Sequence, residues 1–240
     1  MAAPSFAQVD IERLRQDGID GWSGSVVADF TLRNGNVDLV EVGPSVSVMY
    51  ARLKDQVIVI GSGDLGWEGG ERFSNEMLAH VRYVRSVSEV LQIEGFTQTN
   101  FDKSRQLDAR WVGGVGVRVR LASTEGSRLR VGSSVMGEHE RNAVTPTTVH
   151  AEKTTVARWS NYISVALRLS DTATFSGTAY YQPDFSAFDD ARLLLDGRLS
   201  VSVTESVGLI SGISIRRDSD PVDTVAETDF QLSSGLEVAW

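Results

Sequence analysis

Cysteine is absent from the 240 residues, which removes disulfides, thiol catalysis and thiolate metal sites together. Long hydrophobic runs are absent too. No stretch of 18 apolar residues occurs, so a spanning helix is excluded. Spanning strands stay open, because each needs to be only half apolar. Lysine is scarce, with 3 against 20 arginines, a balance that suits fixed pairing with carboxylates better than a freely solvated surface. Positive charge is in deficit overall, and a net charge of −9 argues against nucleic acid as a partner. The start lacks the charged and apolar regions of a signal peptide. Residues 1–20 read as the remnant of one begun upstream, cleaved near Ala7, or as a short unstructured start, leading into a periplasmic tether.

What the chain has is a two-residue alternation from end to end. Phe230, Leu232, Leu236, Val238 and Trp240 share one parity, and Gln231, Ser233, Gly235, Glu237 and Ala239 hold the other. Side chains on a strand alternate faces, so this segment has one apolar and one wet face, and it ends on an aromatic residue. The pattern recurs in Trp22, Gly24, Val26, Ala28, Phe30 and Leu32, and in Val40, Val42, Val46, Val48 and Tyr50. Trp111, Val115, Val117, Val119 and Leu121 lie opposite Arg110, Arg118 and Arg120; Trp159, Ile163, Val165 and Leu167 lie opposite Arg158 and Arg168. About twelve such segments occur, each near the ~10 residues a tilted membrane strand needs. Helical periodicity does not compete anywhere.

The connections alternate as well. Tight turns are expected at Lys54-Asp55, Val87-Ser88, Thr124 to Ser127, Ser170 to Ala173 and Ser206 to Gly208. Longer polar stretches lie between them at Glu68 to Asn75, Asp102 to Gln106, His139 to Thr155, Gln182 to Asp190 and Arg216 to Glu227, with Asn34-Gly35-Asn36 a short exception. Short turns on one side and long loops on the other are the asymmetry of an outer-membrane barrel. The aromatics sort the same way. Trp22, Tyr50, Tyr83 and Trp240 fall at the short-turn ends of their strands, and Trp67, Trp111, Trp159, Tyr181 and Phe230 at the other. Two aromatic girdles are expected at the two membrane interfaces. The fold expected is therefore all-β: one antiparallel transmembrane β-barrel of about twelve strands over residues 21–240, in the outer membrane of a Gram-negative bacterium.

Gly21-Trp22-Ser23-Gly24-Ser25, the stretch from Glu94 through Phe101 to Arg110-Trp111-Val112-Gly113-Gly114-Val115-Gly116, Leu193 to Ser206, Arg217-Asp218-Ser219-Asp220-Pro221 and Asp229 to Trp240 carry a resemblance. In these the chain resembles the salt-induced outer-membrane proteins, a family of uncharacterised function. The family's usual Gly-Asn after the first strand stands here as Gly35-Asn36. Membership implies an outer-membrane barrel and brings no established substrate.

Candidate chemistry is sparse. Gly61-Ser-Gly63-Asp-Leu-Gly66 matches the dinucleotide fingerprint, but Trp67-Glu68-Gly69-Gly70 cannot open the helix that motif needs. The bland reading, glycines relieving crowding in a curved strand, is preferred. His80 shares the lumen parity with Arg82. His139 and His150 flank the longest loop at a spacing that fits no standard metal signature. Asp218, Asp220 and Asp223, echoed by Asp184, Asp189 and Asp190, read as solvated acidic loops, with divalent cations shared with lipopolysaccharide phosphates as the sharper alternative. No nucleophile-elbow pattern occurs, so no catalytic residue, metal or cofactor is assigned.

The arginine parity is the most suggestive pattern. Arg110, Arg118, Arg120, Arg128, Arg130, Arg158 and Arg168 point inward, sharing the lumen with Glu94, Asp108, Asp29, Glu41, Glu76 and Glu138. They form either an anion-attracting wall of a pore or a closed Arg–carboxylate network filling the lumen. A dozen strands enclose little space once arginines occupy it, which leans towards the filled lumen. The function expected is a non-enzymatic role in envelope integrity or osmotic and salt adaptation, with passage of small polar or anionic solutes as a side activity. A dedicated solute channel and a hydrolase on the outer loops are the alternatives. The partners expected are outer-membrane lipid, lipopolysaccharide and, through the last strand, the barrel assembly machinery.

Overall fold

The computed structural model describes residues 20–33, 39–144, 148–222 and 225–240, and of residues 30–33, 39 and 72–74 the backbone alone. The N-terminal tether, the Asn34-Gly35-Asn36 turn, Asp223 and the side chains of Phe30 and Leu32 lie outside the described residues. Twelve strands are described: β1 Gly21–Arg33, β2 Leu39–Arg52, β3 Asp55–Glu68, β4 Glu71–Ser86, β5 Leu91–Asp102, β6 Leu107–Ser123, β7 Ser127–Asn142, β8 Lys153–Arg168, β9 Ala173–Pro183, β10 Ala191–Ser202, β11 Val207–Asp218 and β12 Thr228–Ala239. Each pairs antiparallel with its chain neighbours, and β12 returns to β1, closing the barrel. That seam runs from Ser25↔Ala239 to Asp29↔Gly235, and Gly24 and Trp240 exchange both backbone hydrogen bonds at 3.1 Å beyond it. Closure gives every strand a hydrogen-bonded neighbour on both sides, so no strand is left as a free sheet edge.

The alternation turns the barrel inside out relative to a soluble one. Val115, Val135, Ile163, Leu209 and Leu232 project from the outer wall, exposed, while Arg82, Arg118, Arg130, His80 and Glu94 lie buried inside. Three small apolar clusters share the interior: Met49 with Ile58 and Ile60, Phe96 with Val112 and Met136, and Tyr162 with Tyr180 and Leu194. The sorting follows the strand period of two, so one slip of register would exchange the faces.

The short-turn side is as the alternation predicts, with connections at 53–54, 87–90, 124–126, 169–172 and 203–206. The opposite side departs from expectation. Glu68 to Asn75 is almost all strand: Glu68 pairs with Glu71, and Gly69 and Gly70 alone make the hairpin, both at positive φ. Two successive positive-φ positions match the right-handed twist of a hairpin and favour glycine, which is why a polar stretch becomes a tight turn. Asp102 to Gln106 folds as a single 3-10 turn over Lys103–Arg105, capped by the Asp102 carboxylate on the Ser104 and Arg105 amides. His139 to Thr155 is likewise shortened, because β7 runs to Asn142 and β8 starts at Lys153. The Gly61–Gly66 stretch lies within β3 and opens no helix.

Candidate functional site

Cross-strand register sets the first contacts inside the barrel. Arg110 on β6 faces Glu140 on β7, and Arg192 on β10 faces Asp218 on β11. Barrel closure adds the second set. Arg192 crosses the lumen from β10 to β7, where its guanidinium meets Glu138 at 2.5 Å and Glu140 at 3.0 Å while its Nε stays 3.0 Å from Asp218. Glu138 also accepts from Arg110 and, at 3.0 Å, from Arg158 Nε. Arg158 continues outward, with Nη1 and Nη2 each donating at 3.1 Å to one oxygen of Asp190. One carboxylate thus sits among three guanidiniums, each balanced by a second acid. Such buried pairs add little over an apolar core, but losing one partner strands a desolvated charge.

A second network fills the half nearer the short turns. Tyr162 on β8 donates across the lumen to both oxygens of Glu94 on β5, at 3.0 and 3.1 Å. Arg82 donates to Glu94 at 3.2 Å and lies over the Phe96 ring, 5.0 Å from its centroid. Its Nε points at His80 Nε2 at 3.4 Å, which leaves His80 Nδ1 as the donor to Gln98 Oε1 at 3.2 Å. Tyr162 can reach across because its cross-strand partner is Gly132: a Cβ there would stand 2.2 Å from the tyrosine ring. Below this network Arg118 and Arg130 are buried and Arg120 and Arg128 half-buried. At the opposite mouth Arg105, from the 3-10 turn, reaches Asp229 of β12 at 3.7 Å. Beside the networks, against the wall formed by β10 to β12 and β1 to β4, lies a cavity of about 130 Å³ lined by Asp29, Asp64, Glu76, Asp196 and Arg198 among serines and glycines.

Of the residues assigned to the lumen from sequence, Arg110, Arg118, Arg130, Arg158 and Glu94 are buried within it, and Arg120 and Arg128 are inward-facing and half-buried. Two differ. Arg168 has the inward parity but lies at the last position of β8, exposed at the rim. Asp108 faces outward, because the register slips between Leu107 and Ala109; a bulge there turns Leu107 in and Asp108 out. Asp108 lies 3.7 Å from Arg141, both side chains about half exposed. An exposed pair of this kind contributes little, so Arg141→Ala is expected to shift the urea midpoint of detergent-refolded protein by less than ~1 kcal/mol equivalent.

The acidic loop residues are also not simply solvated. Asp190 and Asp218 serve as counter-ions, and in the 184–190 loop the Ser186 amide and hydroxyl, both 2.7 Å away, hold the Asp184 carboxyl below its usual range. His139 belongs to β7 rather than a loop; it stacks on Trp111, 5.8 Å between ring centres, and bonds Thr155 at 2.7 Å. Arg82 shares the lumen parity with His80 as the sequence indicates, whereas Arg192, Tyr162 and Glu140 carry the inward parity without standing out in the sequence.

All nine girdle aromatics occupy outward positions. Trp22, Tyr50, Val57 and Tyr83 form one row across β1 to β4, with the Trp22 and Tyr50 rings 4.8 Å apart, and Trp240 joins them through Gly24. Trp67, Trp111, Trp159, Tyr181 and Phe230 lie towards the other ends of their strands.

A closed antiparallel barrel with an apolar outer wall and a polar, packed interior defines the class: an outer-membrane-type β-barrel. The chain belongs to the family described as "Protein of unknown function, DUF481", whose model matches residues 30–240. No curated protein matches it in sequence. Among solved structures it is similar in fold to the translocator domain of the autotransporter NalP from Neisseria meningitidis, at 12% identity and TM-score 0.51, covering 93% of this chain and 89% of that one. The NanC porin gives TM-score 0.51 at 8% identity over 90% and 97% of the two chains. The KdgM porin gives 0.50 at 10% identity over 91% and 99%.

Proposed function

We propose that this protein is a closed, non-enzymatic barrel of a Gram-negative outer membrane, serving envelope integrity or adaptation to osmotic and salt stress. The observation that carries this reading is the pair of cross-lumen bridges, Arg192 to Glu138 and Glu140 on one level and Tyr162 to Glu94 on the other. Each bridge passes over two intervening strands, so together they obstruct the β5 to β10 side of the lumen, and their charges are matched inside it rather than held free for a passing solute. In this reading outer-membrane lipid and lipopolysaccharide cover the apolar wall, and the barrel assembly machinery takes β12. A selective channel is the second reading, favoured by the fold shared with the KdgM and NanC porins and by the polar cavity beside the bridges.

Planar-bilayer recording of refolded protein separates the two. The expected result is no stepwise conductance from protein whose gel mobility is heat-modifiable, the mark of an intact barrel. Stepwise currents with anion preference would instead favour the channel.

A further inference from the structure

The cavity beside the two bridges differs in charge from the Glu138 network. Around Glu138 three guanidiniums meet four carboxylates; here four carboxylates, Asp29, Asp64, Glu76 and Asp196, share the lining with one guanidinium, Arg198. Three of the acids come from neighbouring heights of β1, β3 and β4, since Asp29 faces Gly43 and Asp64 faces Glu76. Glu76 in turn faces Asp102 on β5. Arg216, buried on β11, offsets part of this charge.

Burial makes the imbalance costly. Glu76 is 5% exposed and Asp102 1%, and neither Glu76 Oε2 nor Asp102 Oδ2 accepts a hydrogen bond among the described residues. The other oxygen of Asp102 is taken by the amides of Ser104 and Arg105. Desolvated carboxylate oxygens without a donor are unfavourable unless they take up a proton or a positive charge reaches them. There is room for one. Gly43 leaves open the point between two of the acids: a Cβ there would sit 3.4 Å from Asp64 Oδ2 and 3.8 Å from Asp29 Oδ2.

We propose that this cavity binds a hydrated divalent cation of the magnesium type, held by Glu76 with Asp64 and Asp29 beside it. The oxygen-only donors select a hard cation. No three His, Asp or Glu side chains among the described residues converge as a ready-made chelate, so the ion keeps much of its water, as Mg²⁺ does when one or two carboxylates hold it. The serine hydroxyls of Ser45, Ser62 and Ser214 along the lining are suited to accept from and donate to that water.

The test is calorimetric titration of MgCl₂ into the full chain refolded in detergent, with ionic strength held constant by NaCl. Saturable binding of about one ion per chain is expected. Glu76→Gln should weaken it by about tenfold or more, the range typical for loss of a group supporting a metal site. Gly43→Ala places a methyl in the gap at ordinary contact distance from Asp64, so it should weaken binding while keeping heat-modifiable mobility. Heats that never saturate, or that ionic strength alone abolishes, would overturn the proposal. So would unchanged affinity in Gly43→Ala, or in a folded Glu76→Gln, since the ions would then lie on the outer acidic loops.

Discussion

Glu138→Gln is expected to cost about 3–5 kcal/mol of stability, the usual consequence of removing one partner from a buried ion pair. The amide keeps the shape of the side chain and removes the charge that Arg110, Arg158 and Arg192 share. Three guanidiniums then face one another with only Glu140, already shared by Arg110 and Arg192, Asp190 on Arg158 and Asp218 on Arg192 left. Urea titration followed by tryptophan fluorescence in micelles reads the loss. A shift no larger than that of Arg141→Ala would mean that the network does not hold the barrel together. The same variant should behave differently in a bilayer, because loosening Arg192 removes one of the two bridges and leaves excess positive charge behind. Intermittent currents with anion preference are the expected signature, against silence from the parent protein.

Gly132→Ala should be nearly as damaging, although it adds a single methyl group. That methyl would lie 2.2 Å from Tyr162 Cε1 and 2.3 Å from Cζ, so the ring must leave. Overpacking of this kind costs about 1–3 kcal/mol. The ring is also tilted against Tyr180 at 5.1 Å and bonded to Glu94, so its departure strands a buried carboxylate acceptor, at roughly 1–3 kcal/mol more. A double-mutant cycle separates the causes. In a Tyr162→Leu background the added methyl should be far better tolerated, giving a coupling of at least ~1 kcal/mol between positions 132 and 162. Additivity would show that the glycine matters for backbone conformation and not for the tyrosine above it.

Much of this was legible from residues 111 to 121 alone. Trp111, Val115 and Val117 against Arg110 and Arg118 state a strand, its period and its two solvents, and the structure places them outward and inward as that parity requires. Where the parity misleads, the cause is local. At Asp108 one extra residue in β6 reverses the phase, and alternation cannot register a bulge whose partner strand is unknown. At Arg168 the parity is right but the strand ends there, so inward does not mean buried. At Gly69-Gly70 polar composition suggested a long loop, whereas two glycines at positive φ suffice to turn the chain.

The amino-acid sequence by itself determined the strand period, the number of strands, the apolar wall and the aromatic rows, because each depends only on neighbours along the chain. It also determined that the interior would be rich in arginine and carboxylate. Which arginine meets which acid was decided by the tertiary structure. Arg192 reaches Glu138 across two intervening strands, and Tyr162 reaches Glu94 in the same way; both contacts depend on how far successive strands are staggered as the sheet closes. Stagger and curvature set the heights of side chains on opposite walls, and no spacing within a single strand encodes them. The charge-rich interior is therefore a property of composition and parity, and its division into two bridges and a carboxylate-lined cavity is a property of closure.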